Sequence, residues 1–154
     1  MAHGAVVSWT LQDGDDFAAG AYSRAHTLAF DGGATVPGSS SPSVVPQWSD
    51  AAGVDPEELL IAALSSCHML WFLDLARRDG WVVRSYYDAA SGVMGKIDGK
   101  TALAKAVLKP KIIFAEPQPS AERIATLHHR AHELCFIANS VKAEVTVEPA
   151  EASA

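Results

Sequence analysis

Cysteine is scarce: Cys67 and Cys135 are the only two in 154 residues. Two thiols make no disulfide framework, and a chain of this length buries roughly 68–70% of its unfolded surface without one. Basic residues are also few, 12 against 18 acidic ones, for a formal charge of −6. That balance excludes a general nucleic-acid binder, which needs a basic face to neutralise phosphates. The longest uncharged apolar run, residues 59–73, has 15 residues, below the 18 or so expected of a membrane span. The first residues, Met1-Ala2-His3-Gly4, lack the basic and apolar regions of a signal peptide, so a cytoplasmic location is expected. What is present is a folding composition, 49% hydrophobic and 19% charged. It excludes a disordered chain and fits one domain over residues 1–154.

Charge is unevenly placed. Residues 1–75 hold nine acids and a single cation, Arg24, whereas the rest holds nine acids and eleven cations. A lone arginine among so many acids is a candidate for a specific task, with solvated surface as its ordinary reading.

Alternation predicts strands over residues 5–11, 22–30 and 34–36, followed by a Ser/Pro-rich loop at residues 38–43. Asp55-Pro56-Glu57-Glu58 then supplies an N-cap, a proline at the first helical position and a capping-box glutamate. The helix that follows is apolar on every side as far as Ala76, which predicts burial all round. Arg77, Arg78 and Gly80 close it after about 23 residues, or roughly 35 Å. Strands are expected at residues 81–87, around residues 92–94 and at residues 102–114. A second helix, capped by Ser120, is expected over residues 121–135, and a last strand over residues 141–147. The order β-β-β-α-β-β-α-β has too few helices for a doubly wound sheet and defines an α+β chain.

Cys67 lies in the middle of the long helix and Cys135 at the end of the second. Each alone reads as a small core hydrophobe. Three chemical readings compete with that one. A metal site would use His128, His132 and Cys135, which share one helical face, but no C-x-x-C or H-E-x-x-H accompanies them. A cysteine hydrolase would pair Cys67 with a histidine, without a nucleophile signature around it. His68 points about 100° away from Cys67 around the helix and is not assigned as a base. The third reading is a redox pair.

The segments Asp55-Pro56-Glu57-Glu58-Leu59-Leu60 and Ala62-Ala63-Leu64-Ser65-Ser66-Cys67 resemble the cysteine-bearing helix of the OsmC/Ohr family, the osmotically inducible protein C and organic hydroperoxide resistance proteins. Cys135-Phe136-Ile137-Ala138-Asn139-Ser140-Val141 resembles the family's second-cysteine stretch. Order and spacing agree over residues 20–148. The resemblance implies antiparallel sheets around a long buried central helix, an intertwined homodimer, and a thiol-dependent peroxidase acting on organic hydroperoxides without a cofactor. By motif position it makes Cys67 the peroxidatic cysteine, Cys135 the resolving cysteine and Glu57 the site glutamate. Arg24 stands for the arginine of the N-terminal strand, although Tyr22-Ser23-Arg24-Ala25-His26 aligns only loosely. The family also implies a dithiol reductant of the lipoyl type.

The chemistry imposes its own demands. The thiolate is the nucleophile, and an ordinary cysteine with a pKa of about 8.5 is mostly thiol at neutral pH. Burial moves a thiol further in the wrong direction, and a nearby cation is the simplest remedy. Arg24 is the only one in the first half of the chain, and Glu57 could be the carboxylate it needs when desolvated. Attack on a peroxide gives a sulfenic acid at Cys67, which Cys135 condenses to a disulfide.

Glu57 and Cys67 are ten residues apart, about 15 Å along one helix, farther than a glutamate side chain reaches. If both serve one site, Glu57 serves the cysteine of a second copy, with two composite sites per two-fold dimer. Met69, Trp71, Phe72 and Phe136 are candidates for an apolar substrate pocket, with ordinary core as the alternative for each. The competing overall reading is a non-enzymatic small-molecule-binding domain on the same scaffold.

Overall fold

The computed structural model describes residues 3–149, and the chain divides into two compact units, Met1–Leu59 and Leu60–Ala154. In the first unit, β1 (Ala5–Ser8), β2 (His26–Phe30) and β3 (Thr35–Gly38) form an antiparallel sheet in that order. β2 starts four residues later than the alternation predicts, because Arg24 takes its segment out of the ladder. The Arg24 N–H donates to the Trp48 carbonyl at 2.9 Å. Its guanidinium donates to the Tyr22 carbonyl at 2.6 Å and the Gly20 carbonyl at 3.3 Å. The Ser/Pro-rich loop is pinned at Ser39, which is fully buried and accepts the Asp50 N–H on its hydroxyl at 2.9 Å.

Helix α1 (Pro56–Arg78) opens with the expected capping box. The Glu58 N–H donates to the Asp55 carboxylate at 2.8 Å, and the Asp55 N–H donates to the Glu58 carboxylate at 3.0 Å. At the other end Arg77 and Arg78 both pair with Asp74, at 2.8 and 2.7 Å, placing cations at the negative end of the dipole.

The second unit continues with β4 (Val83–Asp88), β5 (Ser91–Ile97), β6 (Lys100–Leu108), β7 (Pro110–Phe114), α2 (Ala121–Leu134) and β8 (Glu144–Val147). The strand expected at residues 102–114 is two strands in two sheets. Pro110 has no N–H to continue the ladder, and the Lys109 N–H turns aside to the Asp88 carboxylate at 2.6 Å. Past that break β7 pairs with β4, while β6 lies between β5 and β8. β5 and β6 form a hairpin around Asp98-Gly99, both at positive φ (51° and 77°). This is the backbone that a two-residue turn of right-handed strands demands. A further departure is the last strand: β8 runs parallel to β6, not antiparallel. It starts at Glu144 rather than residue 141, because a 3-10 turn at Ala138–Ser140 occupies the chain just before it.

α1 contributes to two cores. Phe72, Leu75 and Ala76 pack with Phe114 of β7 and with Leu127 and Ala131 of α2. Leu64 packs with Ala106 and Leu108 of β6. Fully burying a leucine or phenylalanine side chain stabilises by about 1.5–3 kcal/mol. Near the second core a side chain on Gly92 would meet Ile61 Cδ1 at 2.7 Å, so β5 approaches α1 as closely as glycine alone permits. The expectation that α1 is covered on every side is not met by these packings, for Leu70 is 61% exposed. By length and composition α1 could cross a membrane, with a mean hydropathy of 1.7 over its most apolar window. Its buried face, Leu64, His68, Phe72, Leu75 and Ala76, makes it a core helix.

Candidate functional site

Cys67 projects from α1 and Cys135 caps the C-terminus of α2, and both thiols are free. They are neighbours: Cys67 acts directly on the Cys135 thiol, and Cys135 Sγ accepts the Ala138 N–H at 3.3 Å. Burial pushes the Cys135 thiol up to about 11, and Cys67 pushes the same way, against the pull of the Ala138 and Ile137 N–H groups. Cys135 is therefore a thiol at neutral pH.

Over Cys67 lies an open groove of about 530 Å³ whose walls include Ala63, Ser66, Leu70, Trp71, Phe136 and Ile137. Trp71 and Phe136 meet edge to face, ring centroids 5.5 Å apart. Two of the four expected pocket residues, Trp71 and Phe136, thus stand at the groove. Phe72 does not: it is fully buried against Phe114 and His128 in the core. Met69 is half-buried and is not part of the groove wall. Helix angle explains the split. Trp71, four residues after Cys67, is about 40° from it around the helix, whereas Phe72 is about 140° away and Met69 about 160°. Leu70, Ala63 and Asp74 share the cysteine's face by the same count, a signal the sequence already carried.

Arg24 lies in the first unit beside a separate cavity of about 490 Å³ that Trp9, Phe17, Tyr22 and His26 also line. Its guanidinium carbon stands 3.4 Å from the Tyr22 ring centroid, within cation–π range. It makes no ion pair among the described residues, with Glu57 or with any other carboxylate. Glu57 occupies the first turn of α1, half-buried.

The set His128, His132 and Cys135 does not assemble. Among the described residues no group of three or more His, Cys, Asp or Glu side chains is placed to hold a metal ion. Cys135 is turned to Cys67, and His128 Nδ1 lies 3.0 Å from His68 Nε2. Sequence reasoning missed this histidine pair. The two rings are nearly parallel, at 6°, and His68 and His128 are 1% and 4% exposed. Burial lowers both to about 4, so both are neutral at pH 7. The neighbouring His132 lowers His68 further and the Asp88 carboxylate opposes the shift. Asp88 itself accepts the Ser65 hydroxyl at 2.5 Å.

Two neighbouring thiols beneath an apolar groove, on an α+β scaffold with one long core helix, define a dithiol protein with a hydrophobic approach to its cysteines. The chain belongs to the OsmC-like protein family, which matches residues 49–150. No curated protein matches the sequence. An OsmC-like protein of unknown function from Vibrio cholerae is similar over 97% of this chain and 99% of its own, at 48% identity and TM-score 0.95. The organic hydroperoxide resistance protein OhrB of Bacillus subtilis shares the fold at 16% identity and TM-score 0.68, over 97% of this chain and 98% of its own. An organic hydroperoxide resistance protein OsmC from Legionella pneumophila does so at 14% identity and TM-score 0.69, over 99% and 98%.

Proposed function

We propose that this protein is a thiol-dependent peroxidase that reduces organic hydroperoxides. The observation that carries the reading is the neighbouring of the Cys67 and Cys135 thiols, with Cys67 lining the Trp71–Phe136 groove and Cys135 buried behind it. Cys67 acts first, because Cys135 is held protonated and only a thiolate attacks. The Cys67 thiolate takes the terminal oxygen of R–O–OH. The O–O bond breaks, and the alkoxide leaves and collects a proton as the alcohol. Cys135 then displaces water from the Cys67 sulfenic acid, giving a disulfide. A dithiol reductant, of the lipoyl type in our reading, restores both thiols by exchange. The apolar walls suit an alkyl or aryl group, and no cofactor is invoked.

In this reading Arg24 supplies the cation that favours the thiolate, and Glu57 holds that arginine in place. The whole of residues 1–154 works as one OsmC-like domain within a homodimer whose two sites are each built from both copies. A dithiol that must be restored by a reductant suits a reducing compartment, and the cytoplasm is the location this reading assigns to the working protein.

Consumption of cumene, tert-butyl and hydrogen peroxides with dihydrolipoamide as reductant tests the reading. Turnover is expected with the two organic peroxides, and more slowly with hydrogen peroxide, which gains nothing from the groove. Equal failure on all three overturns the enzyme in favour of a binding domain.

A further inference from the structure

The hydrogen bond between His68 and His128 has a particular place in the chain. His68 directly follows Cys67 on α1, and His128 lies seven residues, two helical turns, before Cys135 on α2. The two helices that carry the thiols are therefore joined through their buried faces by a polar contact, 3.0 Å long, between side chains 1% and 4% exposed. Immediately around it the packing is apolar, Phe72 against His128 with Leu127 and Ala131 behind, and Arg123 of α2 pairs with Asp79 just past the last residue of α1. Apolar packing tolerates sliding, whereas a buried hydrogen bond has a narrow optimum of distance and angle. A buried donor or acceptor left without its partner is penalised for its lost hydration.

We infer that His68 and His128 form a positioning clamp, fixing the register of α1 against α2 so that the Cys135 thiol stands within bonding reach of Cys67. Neither imidazole touches the reacting atoms. One ring donates and the other accepts, and a neutral pair makes this bond without burying a charge. The clamp acts on the second step, disulfide closure, where two side chains must meet. The first step, attack of Cys67 on the peroxide, does not involve Cys135. The inference rests on the proposed dithiol chemistry, but closure can be driven without any hydroperoxide. Diamide accepts two electrons and two protons from the two thiols, becoming the hydrazine as the S–S bond forms.

The experiment follows closure of the Cys67–Cys135 disulfide by diamide in the full chain, through loss of free thiol. His128→Phe keeps an aromatic ring against Phe72 and removes the bond. His128→Asn keeps a hydrogen-bonding atom near the Nδ1 position. The double variant His68→Phe, His128→Phe leaves no unpaired imidazole, so a folded protein without the clamp is available even if the single variant fails to fold. In folded protein without the clamp, closure is expected to slow at least about tenfold, as lost orientation does in paired reactants, with substantial recovery in His128→Asn. Sulfenic-acid formation at Cys67, trapped with dimedone in a Cys135→Ser background, should stay within about twofold, since that step does not involve Cys135. Unchanged closure without the clamp overturns the inference, as does a parallel fall in both steps. Clamp-dependent closure in a protein that consumes no hydroperoxide would overturn the proposed peroxidase and leave the clamp standing.

Discussion

The Cys135 thiol neighbours Cys67 and is pushed by burial to about 11, while Cys67 opens onto the apolar groove. In the proposed reaction this asymmetry assigns the roles of two otherwise similar side chains: the thiol held protonated is the resolving one, and the other is the one that attacks.

Cys67→Ser should therefore abolish turnover, by at least about a hundredfold, as loss of a nucleophile does. Cys135→Ser should still allow one oxidation and leave a sulfenic acid at Cys67. Mass spectrometry after dimedone trapping distinguishes them. A dimedone adduct forming faster on Cys135 would reverse the two roles.

Arg24 is held by backbone carbonyls and the Tyr22 ring, with no carboxylate partner among the described residues. Such a guanidinium has no carboxylate of this chain, among the described residues, competing for it. Arg24→Met is expected to move the pH–rate profile for peroxide attack to higher pH. The rate at neutral pH should fall about tenfold for each unit of that movement. A profile that does not move would make Arg24 a structural cation of the 20–24 turn.

His68 and His128 link stability to pH. Each has its folded-state value lowered to about 4 from the ordinary 6.5. As pH falls below about 6.5 the unfolded chain takes up protons that the folded one refuses, and stability drops until both states are protonated. The stabilising contribution is thus present above the unfolded value and lost on the way down to about 4. One such group contributes on the order of 3 kcal/mol, and the coupled pair less than twice that. Urea unfolding between pH 7 and 4.5 should show the loss, and the double phenylalanine variant should flatten it. Asp88 and His132 also face this pair, so equal slopes in the wild type and the double variant would assign the pH dependence to other groups.

Much of this was legible in the sequence, and the reasons differ by residue. The α1 start was legible because Asp55 and Glu58 are a local signal satisfied locally. The two cysteines were legible because each sits in a recognisable stretch of chain. The break at Lys109 was less so, since the partner that takes its N–H, Asp88, is 21 residues away. The parallel seating of β8 depends on β6, across a whole helix. The histidine pair was the hardest to see: its members are 60 residues apart, and each alone reads as one more polar residue on a helix. Phe72 was misplaced for a simpler reason, proximity in sequence to Cys67 having outweighed its angle around the helix.

The dimer with shared sites is the last expectation. α1 runs unbroken from Pro56 to Arg78, so Glu57 and Cys67 are about 15 Å apart along it, beyond the reach of a glutamate. The groove over Cys67 ends in Leu70 and Phe136, 61% and 68% exposed, and in the first unit Val7 and Phe17 are 64% and 57% exposed. Apolar surface of this extent calls for a second copy, with an interface above about 2,000 Å². Co-refolding of Glu57→Ala with Cys67→Ser tests the composite sites. In a two-fold heterodimer one site carries both lesions and the other carries neither, so the mixture should recover roughly a quarter of wild-type activity. Sites built within one chain would each keep a lesion, and the mixture would be no more active than its parts. Light scattering that shows a monomer at micromolar concentration would end the idea sooner, and would leave Glu57 no role beyond its place in the first turn of its helix.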